Sequence, residues 1–507
     1  MLTSQPRPFD PTDNFKKLSV PAAWPGQRRH EQDHFFTVDH LSGNLKRHAF
    51  QGSAITLIAQ AGKLAVRLAS TAVLARLLTP ADFGLIAMVT VVVAFIDLFK
   101  DAGLSMATVQ RPQLNHAQAS TLFWINAGLG LVLMLALMAL APAIARFYGE
   151  PRLVPITLAL AVAVAAGAAA VQHQALLRRR MQLGRIAIID MVGLLVGSIV
   201  AIALAVRGFG YWSLVALPIV SAIATAVMSF ALCAWRPGRP RFDAEVTGAI
   251  RFGGLLTLHQ AAGHFFRTAD QIVVGFTFGT AALGLYGKAY GLLLQPWAQV
   301  LAPIHAAVQP ALCRAWGDAA TFLAIYQRAL TTVAVASFGT LLAAVLYAQL
   351  IVTFVLGDSW RATAPIFVAF APAAAIFSVR TATTWIYVAS GNVRHQLYVT
   401  LASGSVLLVA VLAAADRGPV GIATTVSLVQ VTAFPVAILA CARSTGVRLA
   451  DIVRPIVPAL CILAVASVIV VAGQMWHLDL RPAAVATTAI GSAGVLARLF
   501  SSKGTTR

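Results

Sequence analysis

Of 507 residues, 59% are hydrophobic and only 11% charged. Soluble domains carry about 25% charged residues, so the composition excludes a water-soluble fold. The formal charge of +20 would suit a nucleic-acid partner, but the basic residues are spread from loop to loop and form no single patch, so no nucleic acid is expected.

In chain order, residues 1–51 are polar and rich in proline, with Pro6, Pro8, Pro11, Pro21 and Pro25. They read as a flexible tail rather than a cleavable leader, which needs an apolar stretch within about the first 30 residues. Apolar runs long enough to cross a bilayer as helices follow at 54–76, 83–99, 120–142, 154–176, 186–206 and 211–235. A basic loop, 236–251, separates them from eight more at 252–276, 284–312, 329–352, 363–388, 396–415, 419–440, 455–473 and 482–500. The expected architecture is an all-α polytopic membrane protein of about fourteen helices. An N-lobe occupies 52–235, a C-lobe 252–440, and two additional helices with a short tail 441–507. Between the first two spans, Thr79-Pro80-Ala81-Asp82 carries a capping threonine, a proline at the first helical position and an acid in the first turn, all helix-start signals.

Charge bias sets the orientation. With the N-terminus inside, segments on the cytoplasmic face hold 26 Lys and Arg and external loops hold 7. The positive-inside rule demands this alternation, so both termini are expected in the cytoplasm. The remaining five, Lys63, Arg67, Arg267, Lys288 and Arg380, fall within the apolar spans.

The chain also repeats itself. Offset by 200 residues, 60–85 aligns with 260–285 without gaps and eight of the 26 positions are identical, among them Arg67/Arg267, Ala81/Ala281 and Gly84/Gly284. Six spans separate the copies, an even number, so both run the same way through the membrane. That describes a parallel repeat about an axis along the membrane normal, with a site between the lobes.

Charges inside the hydrocarbon cost roughly 2.5–3.5 kcal/mol each on insertion scales and persist mostly where they face a cavity or a partner. Lys63 and Arg67 share one helix face about 6 Å apart along the axis. Snorkelling toward the headgroups is the alternative for these side chains. Five cations in a cavity point to an anionic ligand, which arginine would hold with a planar fork of donors and lysine with a mobile point charge. Asp270, three residues after Arg267, would either neutralise Arg267 or Lys288 or serve as a proton or sodium site. Asp97, Asp101 and Asp190 lie near inner helix ends, where pairing with loop arginines is expected. His259, His264, His305, Gln60, Gln172, Gln174 and Gln260 are weaker candidates, more simply read as packed polar residues. The cysteines Cys233, Cys313, Cys441 and Cys461 lack metal-ligand spacing and read as small apolar fillers, and no metal site is expected. Nucleotide-binding, dinucleotide and hydrolase motifs are missing from the sequence, so no catalytic residues and no cofactor are assigned.

Several motifs resemble those of bacterial polysaccharide transporters. The run Ala75-Arg76-Leu77-Leu78-Thr79-Pro80-Ala81-Asp82-Phe83-Gly84-Leu85 is similar to the family's signature at the end of the first helix. Asp101-Ala102-Gly103-Leu104-Ser105 with Val109-Gln110-Arg111, Leu122-Phe123-Trp124-Ile125-Asn126, and Gly208-Phe209-Gly210-Tyr211-Trp212 before Trp235-Arg236-Pro237 follow in order, then Asp270-Gln271-Ile272-Val273-Val274-Gly275 before Leu283-Gly284-Leu285-Tyr286. The resemblance runs from about 52 to 440 and is nearest the exopolysaccharide and colanic-acid-type branch. The family consists of lipid-linked oligosaccharide flippases, in a superfamily that also holds multidrug exporters and the peptidoglycan-precursor flippase.

The resemblance implies two six-helix lobes in a V, a central cavity and alternating access in a bacterial inner membrane. The implied substrate is an undecaprenyl-diphosphate-linked oligosaccharide, whose phosphate oxygens the cavity cations would grip, and transport driven by a proton or sodium gradient would use Asp270 as the coupling site. Membrane lipids, a polysaccharide polymerase and a co-polymerase are the implied partners. A multidrug or metabolite antiporter of the same fold, a membrane-embedded polymerase or ligase, and a non-transporting scaffold are the competing readings. Organic cations would favour acidic cavities, and a polymerase would be expected to carry a large external loop where this chain has loops of about ten residues.

Overall fold

A computed structural model describes residues 45–100, 114–240, 244–475 and 480–501, with Ser105, Thr108, Val109 and Leu478 between them. The tail up to residue 44 and Asp101 therefore lie outside the described residues. Every regular element among the described residues is a helix. The N-lobe comprises α1 (Leu45–Leu77), α2 (Pro80–Asp97), α3 (His116–Tyr148), α4 (Leu153–Arg179), α5 (Leu183–Val206) and α6 (Tyr211–Leu232). A 72-residue helical stretch, Ala244–Ala315, is broken at Gly279, whose φ of 76° and ψ of −168° no helix accommodates. Its arms, 244–278 and 280–315, are α7 and α8. Asp270 and Tyr286 share a hydrogen bond of 2.7 Å although 16 residues apart. In a straight helix they would be about 24 Å apart, so the chain folds back at Gly279. Then come α9 (Ala319–Leu346), the short α10 (Ala348–Leu356), α11 (Thr363–Ala389), α12 (Val393–Ala413), α13 (Gly418–Thr445), the five-residue α14 (Leu449–Val453), α15 (Val457–Met475) and α16 (Arg481–Ser501).

Twelve of these segments are long and apolar enough to cross a membrane, the broken stretch counting as one. Counting both arms of the broken stretch and adding α1, which is long but not one of the twelve, gives fourteen long helices among the described residues. One boundary differs from expectation. The basic loop expected over 236–251 is helical from Ala244 onward. Its first part is pinned to the N-lobe: the Trp235 indole N–H donates to His116 Nδ1 at 3.1 Å, and Gly238 donates to Ser120 Oγ at 2.9 Å while its carbonyl accepts from Trp124 Nε1 at 2.8 Å.

The helix start after Thr79 is built as the local chemistry requires. Asp82 N–H donates to Thr79 Oγ1 at 3.3 Å, and Thr79 N–H donates to Asp82 Oδ2 at 2.9 Å, so the two residues satisfy each other's free backbone donors. Without a hydrophobic force between helices in lipid, close approach of small residues holds the bundle. A Cβ at Gly193 or Gly197 of α5 would fall 2.2 Å from Thr225 Oγ1 or 2.0 Å from Ser221 Oγ of α6. In α16, Ser492 and Thr488 face Gly339 of α9, which places the two extra helices against the C-lobe.

The lobes meet at one end. There α2 and α8 touch backbone to backbone: a Cβ on Gly84 would lie 1.7 Å from the Thr280 carbonyl, and one on Gly284 would lie 1.9 Å from the Pro80 carbonyl. Residues 80 and 280, and 84 and 284, are equivalents in the repeat, so the contact is reciprocal about the pseudo-twofold. Trp360 reinforces it by donating its indole N–H to the Ala75 carbonyl at 2.8 Å and setting its ring edge-on to Phe83, 5.2 Å away. The largest buried cluster joins both lobes at this end, with Leu85, Met88 and Val89 against Leu283, Tyr286 and Phe370. Toward the other end, where Arg178 lies, each buried cluster belongs to one lobe: Phe123, Leu177 and Trp235 in the N-lobe, Trp297, Tyr326 and Trp385 in the C-lobe.

Candidate functional site

The expected intramembrane cations fall into three settings. In the N-lobe, Lys63 Nζ lies 2.9 Å from Asp190 Oδ2 in an ion pair between α1 and α5. This corrects the expectation that Asp190 pairs with a loop arginine. Asp190 is part of α5, on the face that meets α1, while Arg185 bonds the Leu232 carbonyl at 3.0 Å and Asp97 pairs with Lys100 at 3.2 Å. One turn further along α1, Arg67 is exposed and its guanidinium has no partner among the described residues. Lys63 and Arg67 line a gap of about 170 Å³ between α1 and α8, together with Gln60, Leu64, Gln295 and Gln299.

In the C-lobe, Arg267 of α7 and Arg380 of α11 line one cavity of about 390 Å³. Thr383, Thr384, Thr400 and Ser403 add hydroxyls, and Gln396 donates to Thr384 Oγ1 at 3.2 Å. Neither guanidinium has a hydrogen-bond or ion-pair partner among the described residues, and no carboxylate lines the cavity. Gly263 makes room for Arg267: a Cβ at 263 would be 3.2 Å from the Arg267 Nη1. The equivalent N-lobe position is Lys63, so the two lobes use the same place for opposite ends, a neutralised lysine in one and space for an arginine in the other.

The third setting is at the contact between the lobes, where Lys288 is half-buried and Asp270 buried. Lys288 Nζ sits 4.0 Å over the Phe83 ring, at the contact between lobes and outside both cavities. Asp270 is 4% exposed and makes no ion pair with Arg267 or Lys288. Instead its Oδ2 accepts the Tyr286 hydroxyl at 2.7 Å and its Oδ1 accepts the Gln271 N–H at 2.9 Å. The i,i+3 spacing allowed a pair with Arg267, but Arg267 turns to the cavity and Asp270 into the core. Of the histidines, His305 accepts the Trp385 indole N–H at 2.7 Å, a packing role.

Thus Arg67 and Arg267, equivalent in the repeat, line different cavities here, and the neighbour that Arg267 finds is Arg380. Sequence reasoning missed Gln295 and Gln299. Their i,i+4 spacing in an apolar span was the available signal, matched on α1 by Gln60, Lys63 and Arg67. No group of three His, Cys, Asp or Glu residues is placed to hold a metal ion among the described residues.

Two unpaired guanidiniums in a shared low-dielectric cavity repel each other, and an anion relieves that repulsion while accepting their planar donors. The arrangement is suited to a group with several negative oxygens.

Comparison with known proteins agrees with this architecture. The chain is 24% identical over 329 residues to the lipopolysaccharide biosynthesis protein WzxC of Escherichia coli (strain K12), covering 64% of this chain and 66% of that one. It is 25% identical over 255 residues to the succinoglycan biosynthesis transport protein ExoT of Rhizobium meliloti (strain 1021), covering 50% and 52%. The matches thus span less than two thirds of either relative. Among solved structures, lipid II flippase MurJ in an inward closed conformation superposes with a TM-score of 0.68 at 12% identity, covering 89% of this chain and 98% of that one. An inward-facing multidrug resistance MATE family transporter of the MOP superfamily gives 0.62 at 15%, covering 77% and 98%. These two likenesses establish the polytopic fold. The family model described as "Polysaccharide biosynthesis protein" matches residues 73–365, more than half of the chain, and the chain belongs to that family.

Proposed function

We propose that the protein is a bacterial inner-membrane flippase. It would move undecaprenyl-diphosphate-linked oligosaccharide repeat units from the cytoplasmic to the periplasmic leaflet for exopolysaccharide or lipopolysaccharide export. The observation that carries the reading is the cavity where Arg267 and Arg380 stand without a counter-charge among the described residues. A diphosphate supplies oxygens for both guanidiniums, while the polyprenyl chain stays in lipid. The names of the relatives, which concern lipopolysaccharide and succinoglycan biosynthesis, support the substrate class.

In this reading the Arg178 end faces the cytoplasm, in keeping with the charge bias, and the Gly84–Gly284 contact closes the periplasmic side. Alternating access requires that contact to part and the lobes to meet at the opposite end. Asp270 is the candidate for coupling to a proton or sodium gradient, because it is a buried carboxylate with no cation beside it. A polymerase and co-polymerase downstream would consume the product. An antiporter for organic cations is the second reading, and the missing carboxylates in both cavities count against it.

Proteoliposomes test the choice. A fluorescently labelled undecaprenyl-diphosphate-linked oligosaccharide should become accessible on the opposite leaflet only with protein present, and ethidium should not accumulate. Ethidium exchange without lipid movement would overturn the proposal.

A further inference from the structure

We propose that the gap between α1 and α8 is a saccharide subsite, reading the sugar next to the diphosphate; the inference rests on the flippase reading above. Gln60 projects from α1, and Gln295 and Gln299 project from one face of α8. None of the three carboxamides has a hydrogen-bond partner among the described residues. An amide offers both donor and acceptor, and so does each sugar hydroxyl, whereas an ionised phosphate only accepts. Phosphate oxygens in this gap would face amide oxygens; hydroxyls would satisfy both halves of every side chain.

Charge makes the same distinction. Asp190 already neutralises Lys63, so among the described residues the gap presents one uncompensated cation, Arg67. The C-lobe cavity presents two, Arg267 and Arg380. The group with more negative charge belongs in the C-lobe, and the neutral, hydroxyl-rich part in the gap. Leu64 gives the gap an apolar patch for the C–H face of a sugar ring. Its volume of about 170 Å³ is less than half the 390 Å³ of the C-lobe cavity, so it suits a short part of the glycan next to the diphosphate.

The subsite lies on both lobes, α1 from one and α8 from the other. A carrier loaded with glycan therefore touches both, while a bare carrier engages the C-lobe cavity alone. The protein would select loaded over empty carrier through these amides.

The test uses the full-length protein in detergent and native mass spectrometry. Its probes are the lipid-linked saccharide fraction extracted from the producing cells and synthetic undecaprenyl diphosphate, the same carrier without its glycan. Wild type should bind the glycan-bearing lipid more tightly. Gln295→Leu and Gln299→Leu should each weaken that binding by roughly 2- to 12-fold, the loss of one neutral hydrogen bond, and leave the bare carrier unchanged. Unchanged binding of the bare carrier also reports an intact fold, and Gln295→Asn, one carbon shorter, should lose the same discrimination. Equal weakening toward both lipids, or a wild type that holds both equally, would overturn the subsite and leave the flippase reading standing. A wild type that binds neither lipid would overturn the flippase reading and the subsite with it.

Discussion

Gly84 and Gly284 occupy equivalent places in the two halves of the repeat, and each sits against the backbone of the other's helix turn. The carbonyls of Thr280 and Pro80 fill the spaces where their Cβ atoms would be, at 1.7 and 1.9 Å. Backbone cannot yield as a flexible side chain can. Gly84→Ala or Gly284→Ala should force α2 and α8 apart and destabilise the closed end by about 1–3 kcal/mol or more. A lower melting temperature in detergent and faster thiol labelling of a cysteine placed at Leu285 are the expected results. Gly287→Ala, with open space at its Cβ position, is the control and should change neither.

The Lys63–Asp190 pair should behave as a structural unit. Removing one partner leaves the other charged and unpaired inside the membrane, which is far more costly than replacing both. Lys63→Met and Asp190→Leu should each reduce protein abundance, and the double variant should recover much of it. The cycle should give a coupling of about 1–3 kcal/mol. Additive losses would show that the pair is incidental.

Asp270 and Tyr286 give the coupling hypothesis a clean separation. Asp270→Asn keeps an oxygen to accept the Tyr286 hydroxyl, so folding should be retained. Tyr286→Phe strips a buried carboxylate of one of its two donors, leaving only the Gln271 N–H, and should destabilise the protein by about 1–3 kcal/mol. If Asp270 carries the coupling ion, the asparagine variant should reach normal abundance yet show no stimulation of lipid movement by an imposed proton or sodium gradient. Undiminished stimulation in Asp270→Asn would dismiss the ion-coupling role.

What could be read beforehand depended on how local the physics was. The Thr79–Asp82 cap, the run of spans and the Gly84/Gly284 repeat positions are visible in the sequence because each rests on residues close together or on a fixed offset. The start of α7 at Ala244 was not, because a basic composition resembles a loop whether or not it is helical. The partner choices were illegible for another reason. Lys63 with Asp190, and Arg267 with Arg380, are separated by several spans, and helix rotation decides which faces meet. Asp270 shows the limit: spacing permits a pair with Arg267, and packing gives it Tyr286.

The central claim is that Arg267 and Arg380 together hold the diphosphate. Its most direct measurement is the rate at which lipid-linked oligosaccharide changes leaflet in proteoliposomes, normalised to reconstituted protein. A charge-assisted bond is worth roughly 1.5–3 kcal/mol, so Arg267→Ala or Arg380→Ala should weaken lipid binding by about 10- to 150-fold and slow movement at limiting substrate. Lysine at either position keeps the charge without the planar fork and should retain partial activity. Both alanine variants should reach the membrane at normal levels, since removing an intramembrane charge need not destabilise a helix. Wild-type rates in both alanine variants, at limiting substrate and normal abundance, would contradict the account.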